Sequence, residues 1–276
     1  MALFITSLNS GSNGNCYYIG NSTESVLIDA GMSCRETEKR MNRLGLSLST
    51  VKALFISHEH SDHITGIPSL SKKYRIPVYI TEGTLKNISV PIPPDLVQRI
   101  KASEKISIGK LEVTSFAKHH DAAEPVSFVV SDNYTHIGIF TDIGSSSKEL
   151  IQHFSYCHAV FLESNYCEEM LENGSYPLHL KNRIRGKKGH LSNDQALELF
   201  TKHRGKQLSH LILSHLSQNN NSMEKVRQVF TPHAAKTEII VASRYKETPI
   251  FCIEPNKIAS SIGRKRRMNQ NQLSLF

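Results

Sequence analysis

Short apolar runs, parted by turns rich in Gly, Asn and Ser, set the texture of the first third of this chain. Residues 3–8, 16–19 and 26–29 read as strands, and the loop Asn9-Ser10-Gly11-Ser12-Asn13-Gly14-Asn15 has the composition of a tight hairpin connection. At residues 35–44 the period changes. Thr37, Met41 and Leu44 recur at helical spacing, and Gly45 supplies the stop. Residues 53–57 are almost wholly apolar, the pattern of a buried strand. Further strands are predicted at 78–81, 111–116, 126–130, 136–141, 159–163, 211–214 and 239–241. Helices are predicted at 67–73, 148–154, 193–203 and 223–230. This intermixing of the two periods predicts an α/β fold, with layered sheets and helices outside them.

The buried run at 53–57 leads directly into His58-Glu59-His60-Ser61-Asp62-His63. Three imidazoles and a carboxylate within so few residues, on a loop at a strand's C-terminal end, form a ligand set suited to zinc, manganese or iron. His58 and His60 alternate and can face one way while Asp62 and His63 turn toward a second centre. A solvated His-rich loop is the bland alternative, and the tightness of the cluster argues against it.

Composition narrows the class. The chain has 276 residues, 39% of them hydrophobic and 21% charged, enough for a core that needs no disulfide staples. Five scattered cysteines with no C-x-x-C pair are expected to be reduced. With no secretory signal and no long uncharged apolar stretch, a cytoplasmic protein with no membrane partner is expected. A formal charge of +8 favours polyanionic partners only weakly.

The spacing H-x-H-x-D-H after a buried strand resembles the metallo-β-lactamase superfamily. The other pieces of its signature occur in order: Asp29 in Asp29-Ala30-Gly31, His120 in Lys118-His119-His120-Asp121, Asp142 in Thr141-Asp142-Ile143-Gly144, and His215 in Ser214-His215-Leu216. The resemblance implies the αββα four-layer sandwich of that superfamily over residues 1–254, and two divalent ions, Zn or Mn. It implies one ion on His58, His60 and His120, another on Asp62, His63 and His215, and Asp142 between them, with a bridging water as nucleophile. Asp29 is implied to orient the histidine loop without being a ligand. His119 and His120 are adjacent, so on a strand only one of them can reach the metals. The family pattern selects His120.

The stretches His120-Asp121-Ala122-Ala123-Glu124-Pro125, Leu162-Glu163-Ser164-Asn165, Gly189-His190-Leu191-Ser192-Asn193 and His215-Leu216-Ser217 with Asn219-Asn220 are similar to the WalJ/YycJ branch. That branch is associated with DNA exonuclease activity, proposed to run 5′ to 3′ in mismatch repair. Lys181, Arg183, Arg185, Lys187 and Lys188 crowd just before His190, where they would neutralise backbone phosphates or simply form a solvated face. Asp62, Asp142 and His190 are the catalytic candidates. His190 would protonate a leaving oxygen or hold a phosphate oxygen, or else merely support the turn that opens the next helix.

Residues 255–276 carry the basic run Arg264-Lys265-Arg266-Arg267 and little apolar surface, which predicts a flexible tail. It finishes on Gln272-Leu273-Ser274-Leu275-Phe276, a peptide similar to those that dock bacterial enzymes on the replication sliding clamp. Gln272, Leu273, Leu275 and Phe276 would make that contact, adding the clamp to DNA as an expected partner. The competing expectations are an RNA or small cyclic-nucleotide phosphodiesterase, and a non-catalytic DNA-repair adaptor. A full ligand set argues against the adaptor.

Overall fold

The structure, a computed structural model, describes residues 2–255; the basic run at 264–267 and the terminal peptide at 272–276 lie outside them. Strands β1 (Leu3–Asn9), β2 (Cys16–Gly20), β3 (Ser25–Ile28), β4 (Val51–Phe55), β5 (Val78–Thr81) and β6 (Val97–Ile100) follow one another across the first sheet. The second sheet runs from β7 (Lys105–Ile108) through β8 (Leu111–Ala117), β9 (Val126–Ser131), β10 (His136–Phe140), β11 (Ala159–Glu163) and β12 (His210–Ser214) to β13 (Glu238–Val241). Strand β14 (Phe251–Ile253) returns to the first sheet and pairs antiparallel with β1.

Both sheets are apolar on both faces, which explains why their strands read as unbroken hydrophobic runs. Within β2, Tyr17 and Ile19 turn into the space between the sheets, whereas Cys16 and Tyr18 turn outward. In β11, Phe161 faces inward and Val160 and Leu162 outward. The inner core joins Ile5, Ile28 and Phe55 to Val113, Phe128 and Ile212 of the opposite sheet. Phe128 meets Phe55 at 5.6 Å between ring centroids, and Phe161 meets Tyr17 at 4.9 Å.

Helices cover the outer faces. On the first sheet, α1 (Cys34–Arg43), the short α2 (Ser61–Ile64) and α3 (Ile67–Tyr74) bury Met41, Ile64 and Leu70, while α4 (Glu82–Asn87) packs beside β5. After α5 (Lys148–Tyr156) come α6 (Glu168–Asn173), α7 (Leu178–Arg185), α8 (Asn193–His203) and α9 (Met223–Phe230). Leu150, Phe154, Leu199, Phe200 and Phe230 of α5, α8 and α9 close the other side of the second sheet. The resulting order of layers is helix, sheet, sheet, helix.

Several elements went unread in the sequence for identifiable reasons. The edge strands β6 and β7 each expose two polar residues, Gln98 with Arg99 and Lys105 with Ser107, and carry no apolar run. Helix α7 fully buries none of its residues, so it shows no core-facing stripe. Lys52 is exposed in an otherwise buried β4, which hid that strand's start at Val51.

Topology positions the site. Strands β3 to β6 are parallel, as are β10 to β13, so their C-terminal ends gather on one edge of the sandwich. Open parallel sheets bind ligands just outside such ends. Since Phe161 links the sheets, Phe161→Ala should cost about 3–5 kcal/mol, read from urea denaturation. A loss below about 1 kcal/mol would show that the inner core does not hold the layers together.

Candidate metal centre

Every predicted ligand follows the end of a parallel strand except His120, which follows β8. Asp29, Asp142 and His215 succeed β3, β10 and β12 with left-handed φ values of 61°, 56° and 57°. For a residue with a Cβ this conformation costs about 1–2 kcal/mol, so neighbouring bonds must impose it. The Asp29 N–H donates to Phe55 O at 2.8 Å, and the His215 N–H to Ser10 Oγ at 2.7 Å. The buried Lys118 ammonium donates to Thr141 O at 2.9 Å, beside Asp142. Backbones also close tightly behind the histidine loop: a Cβ on Gly31 would lie 1.7 Å from Asp62 O, so only glycine fits there.

Four imidazoles are oriented through the nitrogen that they do not present to the site. His63 Nδ1 lies 2.7 Å from Asp29 Oδ2, and His58 Nδ1 lies 2.9 Å from Ser57 Oγ, a hydroxyl that itself donates to Asp29. His120 Nδ1 donates to Gly189 O at 3.2 Å, and His215 Nδ1 is 3.0 Å from Glu163 Oε1. All four thereby offer Nε2, whereas His60 offers Nδ1, 3.1 Å from His58 Nε2 and 3.4 Å from His120 Nε2. Such backing fixes the tautomer and raises ligand basicity.

The donors fall into two adjoining groups, His58 with His60 and His120, and Asp62 with His63 and His215, each within 4.8 Å internally. Asp142 stands between them. Its Oδ2 is 3.3 Å from His63 Nε2, and its Oδ1 is 3.5 Å from His215 Nε2 and 3.8 Å from His120 Nε2.

Electrostatics sharpen the picture. Burial disfavours charge on His63, yet Asp29, Asp142 and Asp62 outweigh it and push the imidazole up to about 10. Burial also opposes a charged His215, and Asp142, Asp62 and Glu163 again raise it well above the usual range. Burial is the main influence at His58, held far down, and at His120, held down to about 4, and the Lys118 charge adds to it at both. Asp142 resists its own burial because His215 and His63 keep its carboxyl well below the ordinary carboxylate range. Buried His215 Nε2 and Asp142 Oδ2 have no hydrogen-bond partner. Inward-facing nitrogens, concentrated buried negative charge and these orphaned atoms all fit divalent cations.

His119 points elsewhere, with Nδ1 2.6 Å from Ser145 Oγ. His190 stands at the rim, 2.8 Å from Glu163 Oε1 and 3.9 Å from Asp142 Oδ1. Glu163 escaped the sequence reading as a site residue. Its Oε1 meets His190 and His215, and its Oε2 accepts the N–H groups of Ile143 and Leu191. Burial raises its pKa, but His190 and His215 bring the carboxyl down to about 2. The available signal was a Glu closing an otherwise apolar strand. The 9–15 loop is the hairpin expected, but it also touches the site: Asn15 Nδ2 donates to Asp62 Oδ2 at 3.1 Å.

The basic segment divides. Arg183 pairs with Asp121, Arg185 with Glu168 and Glu172, and Lys181 donates to a backbone carbonyl. Lys187 and Lys188 are exposed, and among the described residues neither ammonium has an ion pair.

Among the described residues no helix is long and apolar enough to cross a membrane. The chain is 35% identical over 230 residues to exodeoxyribonuclease YycJ of Bacillus anthracis, covering 82% of this chain and 87% of that one. It is 29% identical over 244 residues to exodeoxyribonuclease WalJ of Streptococcus pneumoniae, covering 87% and 91%. The metallo-β-lactamase fold protein YhfI of Bacillus subtilis superposes with a TM-score of 0.71 at 14% identity, over 91% of this chain and 99% of that one, a likeness of fold alone. A model described as the beta-lactamase superfamily domain matches residues 24–215, most of the sequence. Strand-end ligands, the four-layer sandwich and that match together place the chain in the metallo-β-lactamase superfamily.

Proposed function

We propose that this chain is a metal-dependent phosphodiesterase acting on DNA, a 5′ to 3′ exonuclease of mismatch repair held near its substrate by the sliding clamp. The observation that carries the hydrolytic part is the placement of Asp142 between two groups of metal-ligating side chains, with Asp142 Oδ2 and His215 Nε2 buried and without hydrogen-bond partners. The choice of DNA is supported by relatives named exodeoxyribonucleases, matched along most of their length.

His58, His60 and His120 would hold one divalent ion and Asp62, His63 and His215 another, with Asp142 shared. Zinc and manganese both suit these donors. Ions so held supply a water of lowered pKa and offset phosphate charge. The protein's own groups do the rest. Asp29 and Glu163 fix imidazole tautomers, and Asn15 steadies the Asp62 carboxylate. With Nδ1 engaged by Glu163, His190 keeps Nε2 for a proton passed to a departing oxygen. Lys187 and Lys188 suit backbone phosphates, whereas Arg183 and Arg185 would first have to leave their acidic partners.

End-labelled duplexes with accessible 5′ or 3′ ends test the assignment, using metal-stripped protein with each ion added back. Shortening from the 5′ end, only with metal, is expected. Hydrolysis of RNA or bis-p-nitrophenyl phosphate with DNA left intact would reject the DNA reading.

Asp142→Asn should lower turnover about a thousand-fold, the equivalent of about 4 kcal/mol, with the far-UV spectrum preserved. Near-native turnover would remove Asp142 from the centre. A pH dependence also follows. His63 is raised from 6.5 to about 10, so its ionic contribution is complete below about pH 6.5 and is lost as pH climbs toward 10. Metal-stripped protein should therefore lose thermal stability across that window, and metal-loaded protein, with cations in place of the protons, should lose less. Equal pH profiles by scanning fluorimetry would contradict this. Removing residues 272–276 should abolish clamp binding in surface plasmon resonance while leaving hydrolysis of free DNA. Undiminished clamp affinity would discard the tether.

A further inference from the structure

Beside the metal centre stands a segment that the preceding chemistry leaves unused, Arg244-Tyr245-Lys246. It follows β13, parallel to β12, and so lies at the same edge of the sandwich as His215. Its backbone is clamped from several directions. Ser10 N–H donates to Ser243 O at 3.2 Å, Asn13 Nδ2 to Arg244 O at 3.0 Å, and the buried Arg40 guanidinium to Tyr245 O at 3.3 Å. Arg244 in turn donates to Leu216 O and Gln218 Oε1, both at 2.9 Å, tying the segment to the loop that begins at His215.

On this fixed backbone the Tyr245 ring is 75% exposed, and among the described residues it stacks on no other ring. Tyr134, also exposed, lies in the turn before β10, at the end of that strand remote from Asp142. Tyr245 instead lines a hollow of about 140 Å³ with Ser10, Leu216, Ser217 and partly exposed Met223. A larger hollow of about 380 Å³ is lined by Asn9, Asn13, Arg40 and Asp62. The segment therefore lines an apolar-edged recess itself and is held by two residues, Asn13 and Arg40, that share a hollow with a metal ligand. Lys246 is exposed and carries no ion pair among the described residues.

Building on the nuclease assignment, we propose that this segment is a binding rim for single-stranded DNA. The Tyr245 ring stacks on a nucleobase of the strand under hydrolysis, and Lys246 takes a flanking phosphate. Exposed aromatic faces on ordered backbone suit this role because every base offers a π-face, and the contact needs no particular sequence. Arg244 serves as a positioning residue, since its guanidinium is already engaged by the His215 loop.

The chain contains no tryptophan, so Tyr245→Trp installs a single indole at the site in question. Full-length protein is titrated in EDTA, which prevents turnover, with a labelled single-stranded oligodeoxynucleotide and with the same strand made abasic. The ordinary strand should quench the indole and the abasic strand should not. By anisotropy, Tyr245→Ala should bind the ordinary strand roughly ten- to a hundred-fold more weakly, with no such difference on the abasic strand. Lys246→Ala should lower the salt slope of binding by about 1. Indole emission unmoved at saturation, equal quenching by both strands, or native affinity in Tyr245→Ala would overturn the rim. If the wild-type chain binds neither strand, the DNA assignment falls and takes the rim with it. That outcome is recognised by flat anisotropy for every form.

Discussion

A carboxylate buried in a protein interior carries a desolvation penalty of several kcal/mol unless opposite charge stands close by. Asp142 is such a group, and it is not alone: Asp29 and Glu163 are buried around the same spot, with Asp62 at the rim. Much of the surrounding architecture answers that concentration of negative charge. Protons raised onto His63 and His215 answer it in one state of the protein, and divalent ions would answer it in another. The site thus couples proton binding to metal binding. Four of its imidazoles are held by Nδ1 contacts to carboxylate, hydroxyl and carbonyl groups, so their presented nitrogens need little rearrangement between the two states.

The two sheets meet this demand by pointing the C-terminal ends of two sets of parallel strands at one edge. That arrangement was readable in outline, because strands buried on both faces must be nearly continuous in apolar residues, and β3, β4, β11 and β12 are. The histidine cluster was readable too, since its members share one short loop. Asp29, His120, Asp142 and His215 are different. Each stands apart from that loop, beyond its own apolar run, and only their order along the chain, matched to a family pattern, singled them out.

What stayed hidden was whatever depends on chain segments far apart in sequence. Glu163 serves His190 and His215 at once, a relation created by the folding of β11 beside β12. The 9–15 loop looked like any hairpin, yet Ser10 and Asn15 reach His215 and Asp62 across long stretches of chain. Arg40 sits in α1 four residues after Glu36 and pairs with it. The fold keeps the Glu36 contact and also buries the guanidinium against Leu8 O, Asn9 and Tyr245 O. Charge runs mislead in the opposite direction: part of the stretch from Lys181 to Lys188 is consumed by local acids rather than left free.

The left-handed turns at Asp29, Asp142 and His215 have an evolutionary corollary. Each position holds a residue that the backbone disfavours, so glycine there would relax the chain and remove an awkward buried charge or imidazole together. Selection for heat tolerance alone would erode this edge of the molecule first. Persistence of a side chain at all three positions among descendants of this chain would therefore be a sign that chemistry, and not mere folding, is still under selection.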